Sequence, residues 1–234
     1  MPSLTPPPCP GDSREYILVK TREGMHWRRR RGSVTPARLN AGFRASAEVT
    51  KIVAPACKKI CTALEPYLRG LQPGRLHNRL NQALRRSLAE KGRLVLSYLK
   101  GIELQREHPL EGMLKAPYHM SLDRDRVRIE IPIEPHTVKP LSSLVTDYYF
   151  EAVLLQGELD GDGALQTQSV ESPLYPVGGK TKTRCVLELP LLPKQDWCLL
   201  VKLSCLEGRE LAAHPRHYRM KVVAGGGGGG GFKV

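Results

Sequence analysis

Cys57 and Cys61 lie four residues apart in a stretch with helical spacing, a separation that sets two thiolates on one helix face for a zinc ion. No nearby Cys or His completes four ligands, and the pair shares its stripe with Ile60 and Leu64, where cysteine serves as a small buried hydrophobe. Cys185 and Cys205 fall at inward positions of strand-like runs, which makes them candidates for a disulfide in an oxidising compartment. Gly178-Gly179-Lys180-Thr181 is similar to the end of a phosphate-binding loop. Leu174 stands where that loop needs its first glycine, however, and a strand follows where a helix is required. Asp160-Gly161-Asp162-Gly163 lacks the further acidic ligands of a calcium loop and reads as a tight turn. The histidines, His26, His77, His108, His119, His136, His214 and His217, share no motif with a nucleophile or a carboxylate pair. We expect no catalytic residue, no cofactor, no metal and no small-molecule substrate.

The chemistry that remains is cationic. The formal net charge is +13, and residues 1–117 hold all of it, with 22 Lys+Arg against 9 Asp+Glu; residues 118–234 carry 14 of each. Such a field draws phosphate backbones, anionic headgroups or an acidic protein face. The candidate contacts are Trp27 with Arg28, Arg29, Arg30 and Arg31, and then Arg75, Arg79, Arg85 and Arg86. Arg38, Lys58 and Lys59 could extend the same surface. Trp27 offers a face for stacking or a cation–π contact. Read blandly, the arginine run is a solvated loop or a sorting tag, and the later arginines are an ordinary helix face. No zinc knuckle and no aromatic pair of a nucleic-acid reader accompanies them.

The elements that must position these residues follow from periodicity. Residues 1–13, rich in proline, read as a disordered leader. Tyr16-Ile17-Leu18-Val19 and Met25-His26-Trp27 read as a strand pair about a turn at Arg22-Glu23-Gly24. Thr35-Pro36 is a helix start, a hydroxyl N-cap followed by proline in the first turn. Apolar residues then recur with helical spacing through Leu68, with a kink or restart expected at Pro55. Leu76, Leu80, Ala83, Leu84, Ser87 and Leu88 define one face of a further helix that Gly92 closes. Leu94–Leu104 fits strand and helix equally, and residues 106–117 read as a connection. After Pro117 the period changes to two. Runs at Tyr118–Leu122, Arg126–Glu134, Tyr148–Gln156, Leu165–Val170, Thr183–Leu189, Trp197–Cys205 and His217–Val223 make about seven strands, the pattern of an immunoglobulin-like sandwich. Pro132 implies an edge or a bulge in its strand. Residues 224–234, mostly glycine, read as a flexible tail.

The fold class expected is therefore α+β: a basic strand pair and helices over 14–117, then an antiparallel immunoglobulin-like β-sandwich over 118–223. The order of parts, with MHWR, TPARLNAGFRAS, RLHNRLNQALRRSL and LLVKLSCLEGRELA in succession, resembles a widespread Bacteroidota family of unknown function. That resemblance covers roughly residues 16–223 and implies a basic N-terminal hairpin and helices before an immunoglobulin-like sandwich. Arg93 to Pro117 and the four-arginine run stand outside its pattern. It implies no activity, cofactor or catalytic residue. The role expected is non-enzymatic binding or assembly, with a protein partner or self-association. The alternative is nucleic-acid binding through the arginine-rich half. No apolar run approaches the roughly 18 residues that span a bilayer, and no export signal is visible at the start, so a reducing, cytoplasmic setting is expected.

Overall fold

A computed structural model describes residues 8–21, 24–30, 40–123, 125–161, 163–180 and 182–227. The chain divides into two compact units, residues 1–48 and 49–234. In the first, β1 (Tyr16–Thr21) and β2 (Gly24–Arg29) pair antiparallel, with Leu18 opposite Trp27 and Tyr16 opposite Arg29. The strand pair read from the sequence is present.

α1 spans Ala41–Leu64, and Asn40 Oδ1 caps it by accepting from the Phe43 amide at 2.9 Å. The start expected at Thr35-Pro36 lies outside the described residues. Pro55 does not divide the helix. It sits on an exposed position inside α1, where its ring faces away from the packed stripe of Val53, Ala56, Cys57, Ile60 and Leu64. That stripe, at helical spacing, holds the helix against the sheet and offsets the lost hydrogen bond. α2 (Leu76–Lys91) buries Leu76, Leu80, Leu84 and Ser87 on one side. Gly92 closes it at φ +67°, a left-handed conformation that costs glycine nothing, and its amide donates to the Leu88 carbonyl at 2.9 Å.

The segment that fitted both periods is neither element. It forms a 3-10 turn at Leu96–Leu99 and then passes through turns and bends, with one bridge from Glu103 to Lys221, to the four-residue α3 (Leu110–Met113). Apart from a 3-10 turn at Pro215–His217, every later element is a strand: β3 (His119–Asp123), β4 (Arg126–Ile133), β5 (Asp147–Gln156), β6 (Gln166–Glu171), β7 (Tyr175–Pro176), β8 (Thr183–Pro190), β9 (Trp197–Glu207), β10 (Glu210–Leu211) and β11 (Tyr218–Gly226). They make two antiparallel sheets. The larger has β5 and β9 at its centre, with β6 and β7 beside β5, and β10 and β11 beside β9; the smaller has the order β3-β4-β8. The fold is α+β, with helices preceding antiparallel sheets.

Two cores share the larger sheet. Phe150, Ala152, Leu154, Leu199, Val201 and Leu203 face Ile129, Ile131 and Leu187 of the smaller sheet. The alternate residues, Val153, Leu155, Cys198, Leu200, Met220 and Val222, face Ile60, Leu64, Leu80, Leu84, Leu96 and Leu99. Buried on both sides, β5 and β9 have apolar residues where a half-exposed strand would alternate.

Three sequence expectations change. β4 is the middle strand of its sheet, not an edge; Pro132 fits because β3 ends its pairing at His119 opposite Glu130, leaving that side of Pro132 unpaired. The last strand runs past Val223, through a bulge, to pair Gly225 with Cys198 and Gly226 with Trp197, so the glycine run begins inside the sheet. Cys185 and Cys205 are both buried in the core between the sheets, and both are free thiols. Burial pushes the Cys205 thiol up to about 12, and its Sγ lies 3.5 Å from Met113 Sδ.

Candidate anion-binding face

α2 sorts its arginines by angle. Arg79 and Arg86 project from the side opposite Leu80 and Leu84, whereas Arg85 turns toward α1 and donates to Thr50 Oγ1 at 2.5 Å and to Asn81 Oδ1 at 2.7 Å. Arg85 is therefore used within the fold, though sequence spacing grouped it with the others. Arg75 precedes the first turn at φ +40°, exposed.

Arg79 and Arg86 open onto a cleft of about 340 Å³ between α2 and the segment from Tyr98 to Arg106, whose lining also includes Ala83, Ile102 and Glu103. The segment is held there by the sheet. Gly101 donates to Val222 O at 2.8 Å, Val222 to Ile102 O at 2.9 Å, and Leu104 to Met220 O at 2.7 Å. The chain thus covers the outer edge of β11 with its own backbone. It presents Arg106 across from α2.

The three cations differ in state. Arg79 is half-buried, and its Nη2 donates to the carbonyls of Pro73 and Leu104 at 2.9 Å each, which fixes its plane. Its Nε is buried with no hydrogen-bond partner. Burial, and next the charge of Arg106, hold its guanidinium below the ordinary value. Arg86 and Arg106 are exposed, and among the described residues neither forms an ion pair or hydrogen bond. Glu103 is the single carboxylate in the lining, and its oxygens are engaged elsewhere: Lys221 Nζ lies at 3.4 Å and the Leu110 amide donates at 3.1 Å. Burial raises its carboxyl to about 7, outweighing the hydrogen bond and the Lys221 charge. Tyr98 forms the far wall, its hydroxyl donating to Glu90 Oε2 at 2.7 Å.

The other sequence candidates lie in the first unit. Arg29 pairs with Glu15 at 3.2 Å, an exposed bridge of small energetic weight. Arg28 and Arg30 are exposed, and Trp27 is half-buried on β2. Arg31 lies outside the described residues, as does Arg38. Arg106 and Tyr98 escaped the sequence reading, because Arg106 falls in the stretch read as a connection and Tyr98 in the run that fitted either period. The available clue was Arg75, Arg79, Gln82 and Arg86 at i, i+4, i+7 and i+11, one face of a helix from which Arg85 departs.

Cys57 is buried and Cys61 half-buried on the apolar stripe of α1, and no grouping of His, Cys, Asp and Glu fit to hold a metal occurs among the described residues. Among the same residues no helix is long and apolar enough to cross a membrane. Comparison of the chain with protein-family models, with curated proteins and with solved structures found no match in any of the three.

Proposed function

We propose that the protein acts by binding, not by catalysis: the cationic face of α2, with Arg75, Arg79, Arg86 and Arg106, docks an acidic surface of a protein partner in an assembly. One observation carries this reading. Three guanidiniums open to one cleft whose single carboxylate is already held by Lys221 and a backbone amide. A charge-mixed surface satisfies its arginines internally; this one leaves two of them to a partner. The sheets enter the proposal as an immunoglobulin-like sandwich. Lettered in that scheme, β3-β4-β8 follow the order A-B-E and β6-β5-β9-β11 the order C′-C-F-G. A cytoplasmic setting, and membership of the Bacteroidota family named above, belong to the same proposal.

The nucleic-acid alternative rests on the N-terminal excess of charge. It is weaker here, because Arg85 is turned inward and a phosphate backbone needs a track of cations along several nucleotides. The test is direct. Binding of a glutamate-rich peptide, a random duplex and a random single strand is measured at low and physiological salt, with light scattering on the same sample. Protein docking predicts peptide binding that the joint change of Arg75, Arg79, Arg86 and Arg106 to Ser removes. Steeply salt-dependent duplex binding without peptide binding would replace it with the alternative.

A further inference from the structure

The cleft beside α2 has two chemistries on its walls. Arg79, Arg86 and Arg106 form one; Ala83, Ile102 and the ring of Tyr98 form the other. We propose that it is a receptor for an organic phosphate monoester, with the phosphoryl group on the three arginines and the organic body against Ala83, Ile102 and Tyr98. This rests on the reading of the face as an anion-binding surface, and it names the anion.

Charge count separates a phosphate from a carboxylate. One carboxylate matches one guanidinium fork and would leave the other two cations repelling one another across the cleft. A phosphate monoester brings about −1.5 to −2 charges and three acceptor oxygens near neutral pH. The crowding of cations is visible in Arg79, which Arg106 helps to hold below its ordinary value. Arg79 is also preset for the task. With Nη2 committed to two carbonyls its plane is fixed before any ligand arrives, so little side-chain freedom is left to lose.

Size and the second wall argue for an organic body. About 340 Å³ is more than a bare phosphate fills and stands at the small end of the roughly 300–1,000 Å³ typical of ligand pockets. The apolar residues sit on the same lining as the arginines, so a ring or short chain attached to the phosphate covers them without leaving the cleft. Glu103 does not oppose the anion strongly, because Lys221 and the Leu110 amide hold its oxygens.

The experiment titrates the full chain with phenyl phosphate, benzoate and inorganic phosphate by calorimetry at pH 7.5 and low salt. The probes are repeated on an Arg86→Gln/Arg106→Gln variant. Both side chains are exposed and unpaired, so the variant should melt with the wild type, and that is checked. The proposal expects phenyl phosphate to bind at least tenfold more tightly than either comparator and to lose at least tenfold in the variant. A phosphotyrosine within an acidic peptide identifies the source: a further gain over phenyl phosphate points to a modified partner protein, and none to a free metabolite. Benzoate equal to phenyl phosphate overturns the phosphate assignment while leaving the acidic-partner reading intact. Tight phenyl phosphate beside no binding of a glutamate-rich peptide upholds the inference and overturns that reading. No binding of any of these overturns both.

Discussion

A methyl group added at Gly225 tests whether the glycine run has a place in the sheet. Gly225 lies opposite Cys198 at the end of β11, and a Cβ built there stands 2.6 Å from Ser97 Cα, 3.1 Å from Trp197 O and 3.2 Å from Ser97 Cβ. The nearest atoms are backbone, on the 3-10 turn and on β9, so no rotamer relieves the contact. Either the turn or the strand end must shift, a form of overpacking that costs about 1–3 kcal/mol. Against this, alanine restricts the unfolded chain and returns about 0.4–1 kcal/mol. The net for Gly225→Ala is a loss of up to about 2.6 kcal/mol, centred near about 1.3 kcal/mol, or roughly 3–5 °C in melting temperature for a chain of this size. Thermal unfolding followed by circular dichroism reads it, with Gly163→Ala as the control. No atom lies within 4 Å of a Cβ at Gly163, which sits in a surface turn, so alanine there should be neutral or gain up to about 1 kcal/mol. Equal melting temperatures for the two variants would mean that residues 224–226 are not held in β11.

Two further perturbations address buried charge. Lys202 and Glu151, 3.6 Å apart and almost fully buried, are each pulled toward neutrality by burial first, Lys202 downward and Glu151 upward. Removing one partner, as in Lys202→Met, should cost about 3–5 kcal/mol in denaturant unfolding, whereas Lys202→Met with Glu151→Leu should be near neutral; comparable losses in both would refute desolvation as the governing cost. Glu103 provides a pH dependence. Its folded value, about 7, lies above the ordinary 4.5, so the folded state binds that proton more tightly. Its contribution is full below 4.5 and is lost as pH rises through about 7. Glu103→Gln should flatten the fall in stability across that window, and an unchanged pH profile would place the titration elsewhere.

Where one physical signal dominated, the sequence was legible. Period-two alternation in Arg126–Ile133 and Thr183–Pro190 marked strands with one buried face, and both are found with those faces in the core between the sheets. Leu76, Leu80 and Leu84 marked the buried side of α2 in the same way. Leu94–Leu104 was not legible, because its apolar run satisfied either local period; the decision came from backbone hydrogen bonds to β11, more than 115 residues away. Tertiary packing likewise overrode Pro55, whose exposed position lets α1 continue. At the candidate site, charge singled out the arginines of α2 but not their angular sorting. Arg85 differs from Arg86 by about 100° around the helix, and that step separates a fold contact to Thr50 from an open guanidinium.

The chain itself supplies the contrast that gives the cleft meaning. On the exposed face of the smaller sheet, arginines meet acids along and across the strands: Arg128 lies 2.7 Å from Glu130 of its own strand and 3.3 Å from Glu188 of β8, Arg126 3.7 Å from Glu188, and Arg184 3.7 Å from Glu130. Cross-strand pairing of this kind is what a solvated surface with balanced charge does. The smaller sheet belongs to the half of the chain with equal numbers of acidic and basic residues. α2 belongs to the other half, where acids are scarce. The one carboxylate in the cleft lining, Glu103, is drawn to Lys221, and the backbone around it is fixed by β11. The sheet that holds the Tyr98–Arg106 segment in place therefore also engages its acid, through Lys221 of β11, and sets Arg106 on the cleft that α2 lines. Excess positive charge in the composition becomes a localised site only through that docking, because the helix alone would present Arg79 and Arg86 to open solvent.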